Sequence, residues 1–244
     1  MHDSTLLTIA GRDPEANHGI VNPPIYRAST VLFPSVAAYE SARTHHGVTY
    51  GRSGTPTTYA FEEAAAALDQ AHRAIALASG KAAINLTLAG LLKRDDHILV
   101  VDTAYGPTRH FCDRTLARYG VETTYYAPGI GAAVAGLIRP ETRLIFLEAP
   151  GSLTFEMQDV LAIVEVARAR GVTTVMDNTW ATPLFFKPLV HGVDVAVQAV
   201  TKYIGGHSDL MMGVVTSNAE IHDRLRNQIC EFGSPASPED CWLA

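Results

Sequence analysis

Short apolar runs alternate with helix-forming segments along most of the chain, and this alternation constrains the fold more than any other feature. Thr55-Pro56, followed by an alanine-rich stretch to Gln70, predicts a capped helix with proline in its first turn. Strands are expected at 74–78, 97–101, 121–126, 144–147, 172–176, 193–200 and 211–216. Between and after them, helices are expected at 80–92, 106–119, 132–137, 159–170 and 219–232. This repeated alternation predicts an α/β fold, a mainly parallel sheet with helices on both faces. Residues 1–55 differ. Asn22-Pro23-Pro24, Phe33-Pro34, His45-His46-Gly47 and Tyr50-Gly51-Arg52-Ser53-Gly54 interrupt any period. The expected organisation is therefore an arm, 1–55, that lies on a partner subunit, and a core domain, 56–244.

Ligands in such sheets sit at the carboxyl ends of the strands, so the residues delivered there are the candidates for chemistry. The valine-rich run VDVAVQAV leads to Thr201-Lys202, and about 25 residues earlier another strand delivers Asp177, a spacing that suits neighbouring strands. Lys202 alone reads as a surface lysine at a loop mouth. Paired with Asp177, it becomes an amine and a carboxylate on one edge, and buried polar ends of this kind need a partner.

Ser79-Gly80-Lys81 opens a helix directly after a strand, so its backbone N–H groups and the helix dipole suit a phosphate. Gly80 equally suits close packing. The segment lacks a P-loop's glycine at Ile75 and its Ser or Thr at Ala82, which argues against a nucleoside triphosphate. Tyr105 follows the next strand and offers a flat ring on which a heterocycle could stack, or simply a rim tyrosine. Thr201 offers a hydroxyl to the same phosphate, or a turn cap. A lysine amine, a carboxylate, a phosphate cradle and an aromatic platform together meet the needs of pyridoxal phosphate. Hydride transfer would need G-x-G-x-x-G after a strand, which is missing.

Composition excludes other classes. With 47% hydrophobic and 18% charged residues over 244, the chain can bury a large core. The net charge of -6, with no basic stripe, argues against nucleic acid. No run reaches the roughly 18 apolar residues of a membrane span, and the start MHDSTLLTIAGRD lacks a leader's basic and apolar regions, so a cytoplasmic location is expected. Cys112, Cys230 and Cys241 form no C-x-x-C pair and are expected to be reduced structural thiols. His45-His46, His110, His191, His207 and His222 show no metal-ligand spacing with carboxylates.

The segments YGRSGTPT, ASGKAAI, DTAYGPT, EAPGSLTFE, DNTWATP and TKYIGGHSD resemble the pyridoxal-phosphate enzymes of cysteine and methionine metabolism, the trans-sulfuration family. The resemblance runs from about Thr5 to the last residue. It implies the large domain of a type I pyridoxal-phosphate transferase fold, with Lys202 carrying the cofactor covalently and Asp177 paired with the pyridine nitrogen. Tyr105 would stack on the ring and assist catalysis. Ser79, the N–H groups of Gly80 and Lys81, and Thr201 would hold the phosphate, and Tyr50 and Arg52 would reach the phosphate of a neighbouring subunit.

EAPGSLTFE and DNTW, through Gly151-Ser152 and Trp180, are similar to the family's cystathionine β-lyases, which implies β-elimination of a sulfur amino acid in a homotetramer serving methionine biosynthesis. The γ-synthase and γ-lyase reactions are the alternatives, as is a truncated cofactor-binding protein without turnover. Two positions depart from the family pattern: Ala199-Val200 stands before Thr201-Lys202 where Ser-Ala is common, and Lys81 stands where Met is usual. Family members also continue into a smaller carboxyl-terminal domain with a substrate-binding arginine. This sequence stops at Cys241-Trp242-Leu243-Ala244, so no such clamp is expected within it.

Overall fold

The apolar runs pair into a sheet whose central strands are buried on both faces, while the edge strand over 122–126 is only partly covered. In a computed structural model, which describes residues 2–44 and 47–244, the strands are β1 (Arg73–Leu77), β2 (His97–Val101), β3 (Glu122–Tyr126), β4 (Thr142–Glu148), β5 (Thr173–Asp177), β6 (Val195–Ala199) and β7 (Gly213–Ser217). They form one sheet in the order β1-β7-β6-β5-β4-β2-β3. β3, β2, β4, β5 and β6 run parallel. β7 is antiparallel to both β6 and β1. β1 and β6 therefore point the same way, and the carboxyl ends of β1, β2, β4, β5 and β6 share one edge.

The helices are α1 (Asp3–Ile9), α2 (Val36–Thr44), α3 (Pro56–Asp69), α4 (Gly80–Leu91), α5 (Gly106–His110), α6 (Val160–Ala169), α7 (Thr182–Phe185), α8 (His222–Glu231) and α9 (Pro238–Leu243). α3 begins as its sequence dictates: the Thr55 hydroxyl accepts from Thr58 N–H, the Thr58 hydroxyl accepts from Thr55 N–H at 2.7 Å, and Pro56 fills the first position. After α5 the chain continues through a π-helical turn over Phe111–Leu116, in which Ala117 N–H reaches back to Cys112.

The core divides along the sheet. On one face Ile75, Leu77, Val197 and Val215 pack with Ala83, Ile84 and Leu88 of α4, and the same cluster runs on through β5, β4 and β2. On the other, Ala74, Ala76, Val214 and Met212 pack with Phe61 and Ala66 of α3 and Cys241 of α9. Helices thus cover both faces. The described part of the arm expected at 1–55 holds α1, α2 and a single 3-10 turn at Gly51–Ser53. Among the described residues, α1 buries none of its side chains fully. It is tied to the core by Lys187, which reaches Asp3 at 3.1 Å and also the Leu68 carbonyl. His45 and His46 lie outside the described residues. No helix among the described residues is long and apolar enough to cross a membrane, and no group of His, Cys, Asp or Glu among them is arranged to hold a metal.

Candidate functional site

The carboxyl ends of β1, β2, β4, β5 and β6 deliver most of the candidate residues. After β1, Ser79 caps α4 by accepting the Ala82 N–H at 3.0 Å, and its carbonyl accepts from Ala83. The first N–H groups of a helix have no partner inside it, and those of Gly80 and Lys81 stand at the positive end of the dipole. Gly80 is dictated by packing as well: a Cβ there would lie 2.5 Å from the Ala199 Cβ at the end of β6. A Cβ on Gly213 would likewise lie 2.3 Å from the Ser79 carbonyl oxygen. The absence of larger side chains brings the amino end of α4 against the ends of β6 and β7. Lys81 is exposed, and among the described residues it forms no ion pair.

Asp177 ends β5 and is buried. Its Oδ1 accepts from Thr179 N–H at 2.9 Å, and Thr179 in turn accepts the Ala199 N–H on its hydroxyl at 2.9 Å, tying the ends of β5 and β6 together. Burial raises the Asp177 pKa above the ordinary carboxylate value, and the Thr179 hydrogen bonds pull it back only in part. Among the described residues no cation pairs with it.

Lys202 stands in the turn after β6, held through its backbone by Ala199 and Gly206. It is exposed, where a buried strand end was expected, because β6 stops at Ala199 and the turn carries the lysine clear of the sheet. Its side chain forms no ion pair among the described residues. Of the two readings of Thr201 beside it, the hydroxyl follows the turn cap. Its hydroxyl accepts from Met212 N–H at 3.0 Å and donates to the Met212 carbonyl at 3.1 Å, which stitches the turn to the strand entering β7. That hydroxyl is committed to backbone, in the manner of a turn threonine.

Tyr105, half exposed, follows β2 at the start of α5. Its N–H donates to Glu148 Oε2 at 2.8 Å. Glu148 was not expected in the site. It ends β4 in register with Asp177 on β5, and burial together with the Asp177 charge pushes its carboxyl up to about 8. The sequence signal for it was present: a carboxylate closing an otherwise apolar strand, as Asp177 does. Trp180 and Phe155, from the loops after β5 and β4, meet edge to face at 6.3 Å. Gly151 sits so close to Thr103 that a Cβ would be 2.5 Å from the threonine Oγ1.

Tyr50 and Arg52 are not joined to this group. Tyr50 bridges Thr30, Arg52 lies in the following turn with its guanidinium 5.7 Å from the Tyr50 ring centre, and Arg226 holds the turn through the Ser53 carbonyl at 3.1 Å. Among the described residues no hydrogen bond links either one to Ser79, Tyr105, Asp177 or Lys202.

Comparison with known proteins follows the same lines. The family model for Cys/Met metabolism PLP-dependent enzymes matches residues 4–244. A relative from Rhizobium johnstonii, provisionally named cystathionine beta-lyase, is 49% identical over 239 residues, covering 98% of this chain and 60% of its own. The cystathionine beta-lyase of Bordetella avium is 40% identical over 252 residues, covering 100% of this chain and 63% of its own. The crystal structure of cystathionine gamma-lyase from Lactobacillus plantarum complexed with L-serine superposes with a TM-score of 0.92 at 33% identity, over 100% of this chain and 62% of that one. The chain thus spans about three fifths of the length of these relatives. By fold, by the motifs at the strand ends and by the family match, this chain belongs to the pyridoxal-phosphate-dependent enzymes of Cys/Met metabolism.

Proposed function

We propose that the chain is the cofactor-bearing part of a carbon–sulfur lyase that cleaves L-cystathionine to homocysteine, pyruvate and ammonia. The observation that carries this reading is Asp177, a buried carboxylate at the working edge with only neutral donors around it. A buried carboxylate calls for a cationic partner, and a protonated pyridine nitrogen is one. The other residues fit the same group. Gly80 leaves room where any side chain would strike Ala199, Gly80 and Lys81 open α4 with N–H groups that have no intrahelical partner, and the Lys202 amine is accessible.

Pyridoxal phosphate, when bound, supplies an aldehyde that condenses with amines and a ring that accepts electrons. In this reading Lys202 would hold the cofactor through its amine, and that amine, once free, would take the proton from the substrate α-carbon. Asp177 would keep the ring nitrogen protonated, so that the ring could stabilise negative charge at that carbon. Tyr105 presents its ring as the platform and its hydroxyl to the same proton transfer. Ser79, Gly80 and Lys81 hold the phosphate, with Thr201 shaping the turn beside it. Tyr50 and Arg52 act across a homo-oligomer interface, the role we assign to the residue 1–55 arm, with 56–244 as the cofactor domain. The three unpaired thiols suit the reducing cytoplasm we propose as the setting.

The β-lyase reading draws support from the names of the Rhizobium and Bordetella relatives, and γ-cleavage is the second reading, favoured by the Lactobacillus structure. Incubation of the cofactor-loaded chain with L-cystathionine separates them by the keto acid formed. Pyruvate is the expected product. 2-Oxobutyrate establishes γ-cleavage instead, and bound cofactor with no keto acid reduces the role to cofactor binding.

A further inference from the structure

Two acids close adjacent strands. Glu148 and Asp177 are register partners on β4 and β5, and residues in register on neighbouring parallel strands point to the same face, about 4.8 Å apart. Both are buried, with 8% and 7% of their surface exposed. The groups that meet them are neutral. Glu148 Oε2 accepts the Tyr105 N–H, from the loop after β2, at 2.8 Å. Asp177 Oδ1 accepts the Thr179 N–H, from the turn after β5, at 2.9 Å. The Gln158 amide oxygen, from the loop after β4, takes only the Glu148 backbone N–H, at 3.0 Å, and turns its nitrogen to the Tyr126 hydroxyl at 3.1 Å. On the far side of Asp177 the register partner is Val197 of β6. Among the described residues no lysine, arginine or histidine forms an ion pair with either carboxyl.

Two like charges this close, buried and without a cation, cannot both form at moderate cost. We propose that Glu148 is a positioning residue of the site, holding one proton in common with Asp177 and anchoring the Tyr105 backbone, so that a single negative charge faces the pyridine nitrogen. The proposal rests on the cofactor reading above for its last clause only. It has two physical consequences. Glu148 is the member that holds the proton, because Asp177 carries the pairing with the ring. Tyr105 is held from below by a strand end, so its ring keeps its place over the edge although the loop around it is exposed. The upward shift of the Glu148 carboxyl agrees with this arrangement, and the two groups titrate as a pair.

The test begins with cofactor-free protein carrying carbon-13 in its glutamate side-chain carboxyls. The Glu148 resonance is the one deleted in Glu148→Gln. It is expected to titrate at about 8, and to move toward the ordinary carboxylate range in Asp177→Asn as the like charge is removed. A midpoint already in the ordinary range, or one unmoved by Asp177→Asn, overturns the shared proton.

The second measurement is pyridoxal-phosphate affinity by absorbance titration. Glu148→Ala is expected to bind about tenfold more weakly, the contribution of one hydrogen bond. Glu148→Gln, neutral and still an acceptor for the Tyr105 N–H, is expected to recover to within about threefold of the parent chain. Glu148→Gln as weak as Glu148→Ala would mean that Glu148 works as an anion and would overturn the proposal. A parent chain that binds no pyridoxal phosphate overturns the cofactor reading instead, and the carboxyl titration then decides the inference by itself.

Discussion

At Gly80 a missing side chain matters as much as any group that is present. Its position is fixed by contact with Ala199, since an added Cβ would fall 2.5 Å from the Ala199 Cβ. Gly80→Ala is therefore expected to force α4 away from β6, costing about 1–3 kcal/mol and weakening pyridoxal-phosphate binding; thermal melting and absorbance titration check both. Gly136→Ala is the control, because nothing lies within 4 Å of a Cβ there, and its effect should stay within about 0.5 kcal/mol. The same contact gives position 199 to packing against Gly80. The sequence made Asp177, Gly80 and Lys202 readable because each closes or follows a periodic apolar run. Thr201 reads as a turn cap, but its partner does not show in the sequence: Met212 is brought beside it by a strand reversal that local sequence does not announce. Glu148 closes an apolar run as Asp177 does, while its pairing with Asp177 depends on which strand lies next to β4.

At the scale of elements, boundaries follow local chemistry and pairing does not. The strand expected at 97–101 is β2 to the residue, and those at 121–126 and 172–176 differ from β3 and β5 by a residue at one or both ends. The antiparallel entry of β7 between β1 and β6 is set by long-range packing and has no local signature. The helix expected at 106–119 divides into α5 and a π-helical turn, because one extra residue is accommodated after His110. The start of α3 was fully legible in Thr55-Pro56. Thr55 is buried and exchanges hydrogen bonds with Thr58 in both directions, so Thr55→Ala is expected to destabilise the fold by about 1–2 kcal/mol. Urea unfolding measures this, and an unchanged midpoint would show that the cap contributes nothing.

For the whole molecule, buried titratable groups set how stability varies with pH. Burial raises Asp69 to about 6 and Glu148 to about 8, so the folded state holds their protons more tightly than the unfolded chain. Stability from these groups is fully present below the ordinary carboxylate range. It is lost as pH rises, up to about 6 for Asp69 and about 8 for Glu148. His222, buried against Ser217 and depressed to about 4, works in the opposite sense: its contribution is present above the ordinary histidine value of 6.5 and is lost as pH falls toward 4.

The acid-side effects of Asp69 and His222 oppose one another, which leaves the interval from about pH 6.5 to 8 to Glu148 and its partner. Tm is expected to fall across that interval by a few degrees, about 2–4 °C per kcal/mol for a chain of this size, and Glu148→Gln should remove most of the decline. An equal decline in both proteins would place its origin elsewhere.

In the chain as a whole, the folded edge is proposed to present one lysine to a carbonyl cofactor. Incubation with pyridoxal phosphate, borohydride reduction and peptide mass mapping is expected to give a single pyridoxyl adduct on Lys202, lost in Lys202→Ala. An adduct on Lys81, Lys93 or Lys187, or none at all, would contradict that role for Lys202.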